Sequence, residues 1–265
     1  MKDRLDIVLV KRGFFSGRDK AKASIMAGIV YVDGMRVDKS GTMIHQDADI
    51  MVKENLCPYV SRGGLKLEKA LEVFSIRLDD VVAIDMGAST GGFTHCMLEK
   101  GAKKVYAIDV GYGQLDYKLR TDPKVVNMEK TNIRYLDPER IEEKADFISI
   151  DVSFISLNLI LPIAARHLSQ DGKIVCLVKP QFEAGRDQVG KKGIVRDPAV
   201  HKEVLEKVVS YGKKSALHPA GLTFSPVTGT KGNIEYLLYF TKKFVSIDVY
   251  DLIDDTVKNS HEKLE

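Results

Sequence analysis

Four polar side chains in this 265-residue chain stand where one hydroxyl group could be activated. Asp151 closes the apolar run FISID, Lys179 closes KIVCLVK, and Glu235 lies in GNIEYLLYF. Lys66 sits beside the apolar face of LKLEKALEVF, in which Leu67, Leu71 and Phe74 recur at helical spacing. A single charge at a strand end is ordinarily only solvated. Open α/β sheets, however, place ligands at the carboxyl ends of their strands, so these groups are expected to converge. Two lysines with two carboxylates suit proton removal from a weak oxygen nucleophile. Lysine becomes a base only when desolvation and a neighbouring cation lower its pKa. Lys66 beside Lys179 would supply that cation, with Asp151 orienting Lys179 and Glu235 positioning the amines and the hydroxyl.

The stretch Val81–Thr94, VVAIDMGASTGGFT, must organise the elements that carry these residues. Its β-branched opening predicts a buried strand, its glycines a turn, and Phe93 onward a helix to about Lys100. Strand, glycine turn and helix together bind nucleotide-like ligands. The pattern D-x-G-x-x-x-G-G departs from the dinucleotide fingerprint, because Asp85 at the strand end would repel a diphosphate. It suits S-adenosylmethionine, which carries a sulfonium cation and no phosphate. A second strand, VYAIDV, ends 24 residues after Asp85 in Asp109, placed to accept hydrogen bonds from ribose hydroxyls. The expected cofactor site is Asp85, Gly87, Ser89, Gly91, Gly92, Phe93, Thr94, Asp109 and Val110. Strands and helices alternate through to Phe240, which predicts a doubly wound, mostly parallel Rossmann-like sheet.

The first 56 residues read as a separate α+β module. Leu5, Val8 and Leu9 give a helix closed by Gly13, and Ser16 is the expected N-cap of a second helix. IVYVDG reads as a strand ending in an Asp33-Gly34 hairpin turn, with a last strand over Asp49–Lys53. A linker is expected at 57–64, the catalytic domain at 65–257 and a polar, frayed tail at 258–265. The module's helices are rich in lysine and arginine, although the net charge of the whole chain is only +3. Such a face would grip A-form RNA through phosphates and shape. The expected RNA contacts are Arg4, Arg12, Arg18, Lys20, Lys22, Lys39 and Arg62. A glycine- and charge-rich loop over 183–198 reads equally as a solvated surface loop or as a clamp that sets Arg186, Lys191 and Lys192 against RNA phosphates.

Three separated cysteines, Cys57, Cys96 and Cys176, form no disulfide or zinc pattern and point to a reducing compartment. No His/Cys cluster suggests a metal. MKDRLDIVLVKRG is not a signal peptide, and the apolar window Phe147–Ala165 is broken by Asp151, Asn158 and Pro162. The chain is expected in the cytoplasm and off the membrane.

The module's run Arg4-Leu5-Asp6, Arg12-Gly13, Gly17-Arg18, Ala21, Ile25, Gly28, Val30, Val32, Asp33, Gly34 resembles the S4 RNA-binding domain. Together with YVSRGGLKLEKAL, DMGASTGGFT, DVGYGQL, SIDVSFISL, LVKPQFE and GNIEYLLYF, the whole chain resembles the TlyA, or haemolysin A, family. That family joins an S4 domain to an FtsJ-like ribosomal RNA 2′-O-methyltransferase. The resemblance implies that the family's Lys-Asp-Lys-Glu tetrad falls on Lys66, Asp151, Lys179 and Glu235. It also implies cytidine ribose in ribosomal RNA as the acceptor, and ribosomal RNA or ribosomal subunits as partners. The chain departs from some members in having Cys57-Pro58-Tyr59 before Val60 and no tryptophan. Two rival readings are a nonenzymatic RNA-binding factor and a membrane-active haemolysin. No amphipathic cationic helix long enough for the latter is evident.

Overall fold

The computed structural model describes residues 2–15, 17–26, 28–52, 57–229 and 232–264. The chain divides into two compact units, 1–61 and 62–265.

Unit one runs β1 (Lys2–Arg4), α1 (Leu5–Lys11), α2 (Arg18–Met26), β2 (Val30–Val32), β3 (Met35–Arg36), β4 (Met43–His45) and β5 (Ile50–Val52). Leu5, Val8 and Leu9 form one stripe of α1, which packs with Ala21 and Ile25 of α2 over Val30, Val32 and Ile50. Asp33 and Gly34 both adopt positive φ (49° and 77°), as a two-residue hairpin with the strand twist requires. Strand β1, unforeseen in the sequence, pairs antiparallel with β4. Its residues are Lys, Asp and Arg, so backbone pairing makes it a strand and hydropathy gives no sign of it. Ser16, expected as an N-cap, and the segment 53–56, which includes the expected strand end at Lys53, lie outside the described residues.

Unit two continues with α3 (Gly63–Val73), β6 (Val82–Met86), α4 (Gly92–Glu99), β7 (Lys104–Ile108), α5 (Tyr117–Arg120) and β8 (Val125–Met128). Then follow β9 (Ala145–Ile150), α6 (Leu157–His167), β10 (Leu168–Val178), α7 (Pro180–Glu183), α8 (Pro198–Lys214), β11 (His218–Phe224), β12 (Tyr236–Thr241) and α9 (Val249–Leu264). The seven strands form one sheet in the order β11-β12-β10-β9-β6-β7-β8. Strand β12 is antiparallel to both its neighbours, and the pairings among β10, β9, β6, β7 and β8 are all parallel. This is the doubly wound, mostly parallel sheet expected from the alternation. After β8 the chain returns to the other side of β6, so the winding reverses between β6 and β9 and opens a crevice at their carboxyl ends. Val82, Ile84 and Met86 pack into a core shared with Ile160, Val204, Val208 and Ile253 of the helices. The alternate residues Ala83 and Asp85 face the other side of the sheet.

Within the expected frayed tail, residues 258–264 are instead the last part of α9. Val249, Ile253, Val257 and Ser260 fall on one buried stripe of this helix. The stripe ends in Ser260, whose hydroxyl lies 3.0 Å from the buried Tyr236 hydroxyl and donates to Val257 O at 2.8 Å. A helix whose final anchor is a serine reads as polar by composition. Among the described residues, no helix is long and apolar enough to cross a membrane.

Candidate active site

The β6–α4 turn is built around two glycines. Gly87 has φ +93°, and a Cβ there would come 2.4 Å from the Asp151 carbonyl oxygen. Glycine alone lets the turn after β6 touch the end of β9. Gly91, also at φ +93°, is the N-cap of α4, and a Cβ there would come 2.2 Å from Leu119 Cδ1. Asp109, just past β7, ties two loops together. Its Oδ2 accepts the Ser89 N–H at 2.8 Å, and its Oδ1 accepts the Gly111 N–H at 2.7 Å.

These elements enclose a first cavity of about 350 Å³, lined by Gly87, Ser89, Ile108, Asp109, Val110, Gln114, Thr131, Asn132, Ile133, Asp151, Val152, Ser153, Phe154 and Ile155. Gly87, Ser89, Asp109 and Val110 were expected here. Asp85, Gly91, Gly92, Phe93 and Thr94 do not line it. Asp85 is fully buried on the α4 side of β6, where it accepts hydrogen bonds from Thr94 Oγ1 at 2.6 Å and Ser149 Oγ at 3.0 Å. Burial pushes its carboxyl up to about 7, against the pull of those two hydroxyls. Asp85 therefore clamps α4 to the sheet behind the turn, because strand alternation points it away from the crevice.

Gln114 was missed, and so was the residue that holds its loop. Glu129 Oε1 accepts the N–H groups of Gln114 at 2.8 Å and Leu115 at 3.2 Å, and Arg120 Nη2 lies 3.3 Å away. Desolvation raises the Glu129 pKa, but the Asn127 amide and the backbone N–H groups of Leu115, Gln114 and Gly113 outweigh it and hold the carboxyl at about 2. Its signal in the sequence was weak, since an acid just beyond β8 looks like any loop charge.

A second cavity, of about 380 Å³, is lined by Ser153, Phe154, Lys179, Gln181, Phe182, Val189, Gly193, Asn233 and Glu235. It shares Ser153 and Phe154 with the first. Sheet register explains why Lys179 and Glu235 meet there. Val178 of β10 pairs with Tyr236 of antiparallel β12, so the residues just beyond them, Lys179 and Glu235, share one edge. Asp151 reaches the same edge from β9, with its N–H bonded to Met86 O at 2.9 Å.

All four expected catalytic side chains are thus close to this edge, as two ion pairs. Lys179 Nζ lies 2.6 Å from Asp151 Oδ1, and Lys66 Nζ lies 2.6 Å from Glu235 Oε2. Lys179 also donates to Ser153 Oγ at 2.9 Å. Asp151 Oδ1 is sealed from solvent, and Lys179 Nζ is the charged partner beside it. Lys66 lines neither cavity. Each lysine has a carboxylate as its ion-pair partner. Buried charges must be paired; the sequence argument had set Asp151 beside Lys179 but had not singled out Glu235 as the partner of Lys66.

Phe154 was missed as well. It is 90% exposed, has φ +64°, and its ring centre lies 4.9 Å from that of Phe182. The loop bearing it is fixed by Glu183, which accepts from Ser156 Oγ and from Leu157 N–H, both at 2.7 Å. Burial raises the Glu183 carboxyl pKa against those bonds. In the loop over 183–198, Val189 and Gly193 face the second cavity, and Asn233 holds the loop through Val195 N–H and Gly193 O at 3.1 and 2.9 Å. Lys191 and Lys192 are exposed.

The expected RNA contacts have differing surroundings. In unit one, Arg4 and Arg18 both bond to Asp6. Arg12 turns back onto Ala48 O at 2.7 Å, and Lys22 pairs with Asp19 at 3.4 Å. Lys20 and Lys39 are exposed, and Arg62 is exposed at the amino end of α3 in unit two. Among the described residues, no group of three or more His, Cys, Asp or Glu side chains is arranged to hold a metal ion.

Comparison with known proteins accounts for both units. The FtsJ-like methyltransferase family model matches residues 59–242, and the S4 domain model matches residues 3–50. A Bacillus subtilis (strain 168) protein, provisionally described as the rRNA methyltransferase YqxC, is 54% identical over 90% of this chain and 85% of its own length. The 16S/23S rRNA (cytidine-2′-O)-methyltransferase TlyA of Mycobacterium tuberculosis (strain CDC 1551 / Oshkosh) is 43% identical over 89% of this chain and 88% of its own. A solved Streptococcus thermophilus structure, provisionally described as a hemolysin, superposes with a TM-score of 0.80 at 48% identity, covering 99% of this chain and 96% of that one. The chain belongs to the FtsJ-like methyltransferase family, with an S4 domain ahead of the methyltransferase fold.

Proposed function

We propose that this chain transfers a methyl group from S-adenosylmethionine to the ribose 2′-oxygen of a cytidine in ribosomal RNA. The observation that carries the reading is the seam between the two cavities. They share Ser153 and Phe154, and the Lys179–Asp151 ion pair links their walls, with Asp151 lining the first cavity and Lys179 the second.

The first cavity fits the donor. Its lining is mostly apolar, its polar side chains include Asp109, Gln114, Thr131 and Asn132, and among the described residues no lysine or arginine lines it to meet a diphosphate. Asp109 would take the ribose hydroxyls, while Gly87, Ser89 and Val110 would form the floor. Asp85, Gly91, Gly92, Phe93 and Thr94 would shape that floor from behind. When bound, the donor supplies an electrophilic methyl carried on a sulfonium.

The second cavity would receive the acceptor. Lys179 Nζ, once it has passed a proton to Asp151 Oδ1 across their 2.6 Å contact, takes the proton of the 2′-hydroxyl, so that the O–H electrons become available for the new oxygen–carbon bond. Asp151 and Ser153 fix Nζ in direction, and Glu235, held by Lys66, orients the hydroxyl. Phe154 offers its exposed face to the base. A bulky residue at positive φ costs about 1–3 kcal/mol, which is consistent with a functional position. Holding the reacting atoms in near-attack geometry is the larger contribution. Arg186, Lys191 and Lys192 would draw phosphates over the site, and unit one would bind ribosomal RNA. A cytoplasmic location goes with that substrate.

The test is transfer from radiolabelled donor to isolated ribosomal subunits. Label should enter the RNA of at least one subunit. A protein that binds the donor yet leaves every ribosomal RNA unlabelled would remove the proposed acceptor.

A further inference from the structure

Behind the second cavity runs a buried chain of polar groups. His201 of α8 is 0% exposed. Its Nε2 lies 3.1 Å from Val195 O, and its Nδ1 lies 2.7 Å from the Tyr236 hydroxyl. That hydroxyl is 3.0 Å from Ser260 Oγ, which donates to Val257 O at 2.8 Å. The imidazole therefore ties together two parts of the cavity wall. Val195 N–H donates to Asn233 Oδ1, and Asn233 Nδ2 donates to Gly193 O. Tyr236 opens β12, directly after Glu235. Gly193, Asn233 and Glu235 all line the cavity.

Hydrogens can be counted along this chain. A carbonyl oxygen only accepts, so Val195 O requires a hydrogen on His201 Nε2, and Val257 O takes that of Ser260. The Tyr236 hydrogen can then serve Ser260 or His201 Nδ1, but not both. A neutral imidazole, one tyrosine and one serine bring three hydrogens to four contacts. An imidazolium brings the fourth, at Nδ1. Without it, one contact sets lone pair against lone pair and must open, and an incomplete buried network loses rigidity. Apolar side chains could fill the same space without burying polar groups, so packing alone does not account for the chain.

Burial disfavours the imidazolium, while the acceptors at both its nitrogens favour it, so the two states stand in opposition. From α9, His261 Nε2 lies 3.2 Å from His201 Nδ1. Two imidazoliums at that distance repel, so the pair takes up one proton as a unit. His261 is only partly buried and gives the inner ring a route to solvent protons. Around it, Lys202 of α8 and Asp254, Asp255, Lys258 and Glu262 of α9 line a groove, in which Lys202 pairs with Asp254 at 2.7 Å. Tyr236 is the titratable group that faces His201 from β12, and Asp197 caps α8 one turn before it.

We propose that His201 is a positioning residue for the RNA acceptor, and that one proton on the His201–His261 pair closes the contact chain that orders the cavity wall. This role rests on the assignment of the second cavity to the acceptor. It concerns how the acceptor is held, and leaves the proton transfer at Lys179 as described. Its sign is fixed: as pH rises and the pair loses its proton, the wall loosens and RNA is held less well.

The experiment uses the full chain, ribosomal subunits and radiolabelled donor between about pH 5 and pH 8, where histidine titrates. The Michaelis constant for RNA should rise roughly threefold to tenfold toward the alkaline end, the scale of one hydrogen bond, while that for the donor stays level. Tyr236→Phe removes two of the four contacts, and neutral His201 with Ser260 has a hydrogen for each of the other two. That chain should lose the rise. Every histidine is common to both chains, so the difference between the two profiles belongs to this network. Nitrogen NMR of histidine-labelled wild-type chain should show His201 passing from two bound hydrogens to one with the same midpoint as the Michaelis constant. An unchanging state of His201, unequal midpoints, or an undiminished rise in folded Tyr236→Phe would each overturn the proposal. Should Tyr236→Phe unfold, the match of midpoints in the wild-type chain decides. Absence of label from every ribosomal RNA would instead remove the acceptor assignment, and with it this role, whatever the imidazole spectra show.

Discussion

Lys179 Nζ stands 2.6 Å from Asp151 Oδ1 although 28 residues and a whole helix separate them, because β9 and β10 are parallel neighbours that end at the same edge. Ser153 Oγ, 2.9 Å from the same nitrogen, completes a fixed direction for it. In the proposed arrangement the reacting hydroxyl meets Lys179 in the second cavity, while the donor occupies the first. Lys179→Ala should therefore lower the rate of methyl transfer by roughly 10²–10⁴-fold while donor and RNA affinities change little. Lys179→Arg should fail almost as badly, since guanidinium does not give up its proton at usable pH. Single-turnover rates with saturating substrates decide the matter. An active arginine variant would make Lys179 an electrostatic anchor and leave Asp151 or water as the base.

Gly87 bears on the donor through backbone geometry. A Cβ there would come 2.4 Å from Asp151 O, at a φ of +93° that favours glycine. Gly87→Ala must push β6 and β9 apart, at about 1–3 kcal/mol of strain, and should abolish measurable donor binding by calorimetry. An alanine variant with wild-type donor affinity would show that this turn does not form the donor floor.

The loop carrying Gln114 depends on a carboxylate behind it. Glu129→Gln keeps the size of the side chain but replaces a charged acceptor of the Gln114 and Leu115 N–H groups with a weaker one. The Michaelis constant for the donor should rise about tenfold, while that for RNA and the rate at saturating donor stay near wild type. Equal changes in both Michaelis constants would mean a general loosening of the fold.

Asp85 gives the fold a pH dependence. Its carboxyl is at about 7 in the folded chain, against an ordinary value of 3.8. Between those values the folded state binds the proton and the unfolded state does not, so stability falls as pH rises from about 4 to about 7 and then levels off. The full effect is on the order of 4 kcal/mol. Asp85→Asn removes this dependence, so its stability relative to wild type should increase between pH 5 and pH 8 in urea unfolding. A constant difference across that range would place the charged form of Asp85 in the native state.

Much of this site was legible because it breaks local rules. Asp151 and Lys179 end apolar strands, Glu235 enters another, and Gly87 and Asp109 stand at strand ends where an open sheet binds ligands. The sheet itself showed through strand–helix alternation. Residues that follow no pattern stayed hidden. Gln114, Thr131 and Asn132 are ordinary loop residues until β7 and β8 bring them to one wall, and Phe154 is one more aromatic until its exposure and backbone are seen. The pairing of Lys66 with Glu235 could not be read at all, since 169 residues separate them and only the antiparallel placement of β12 brings them to 2.6 Å. Periodicity with a serine as its last anchor concealed the end of α9.

The measurement that bears most directly on the central claim is alkaline digestion of ribosomal RNA labelled by this chain. A methylated 2′-oxygen cannot attack the neighbouring phosphate, so the linkage after it survives alkali. The label should appear in an alkali-resistant dinucleotide whose first residue is cytidine, and Lys179→Ala should give none. Label recovered in mononucleotides would place the methyl on a base and contradict the assignment of the two cavities to donor and ribose.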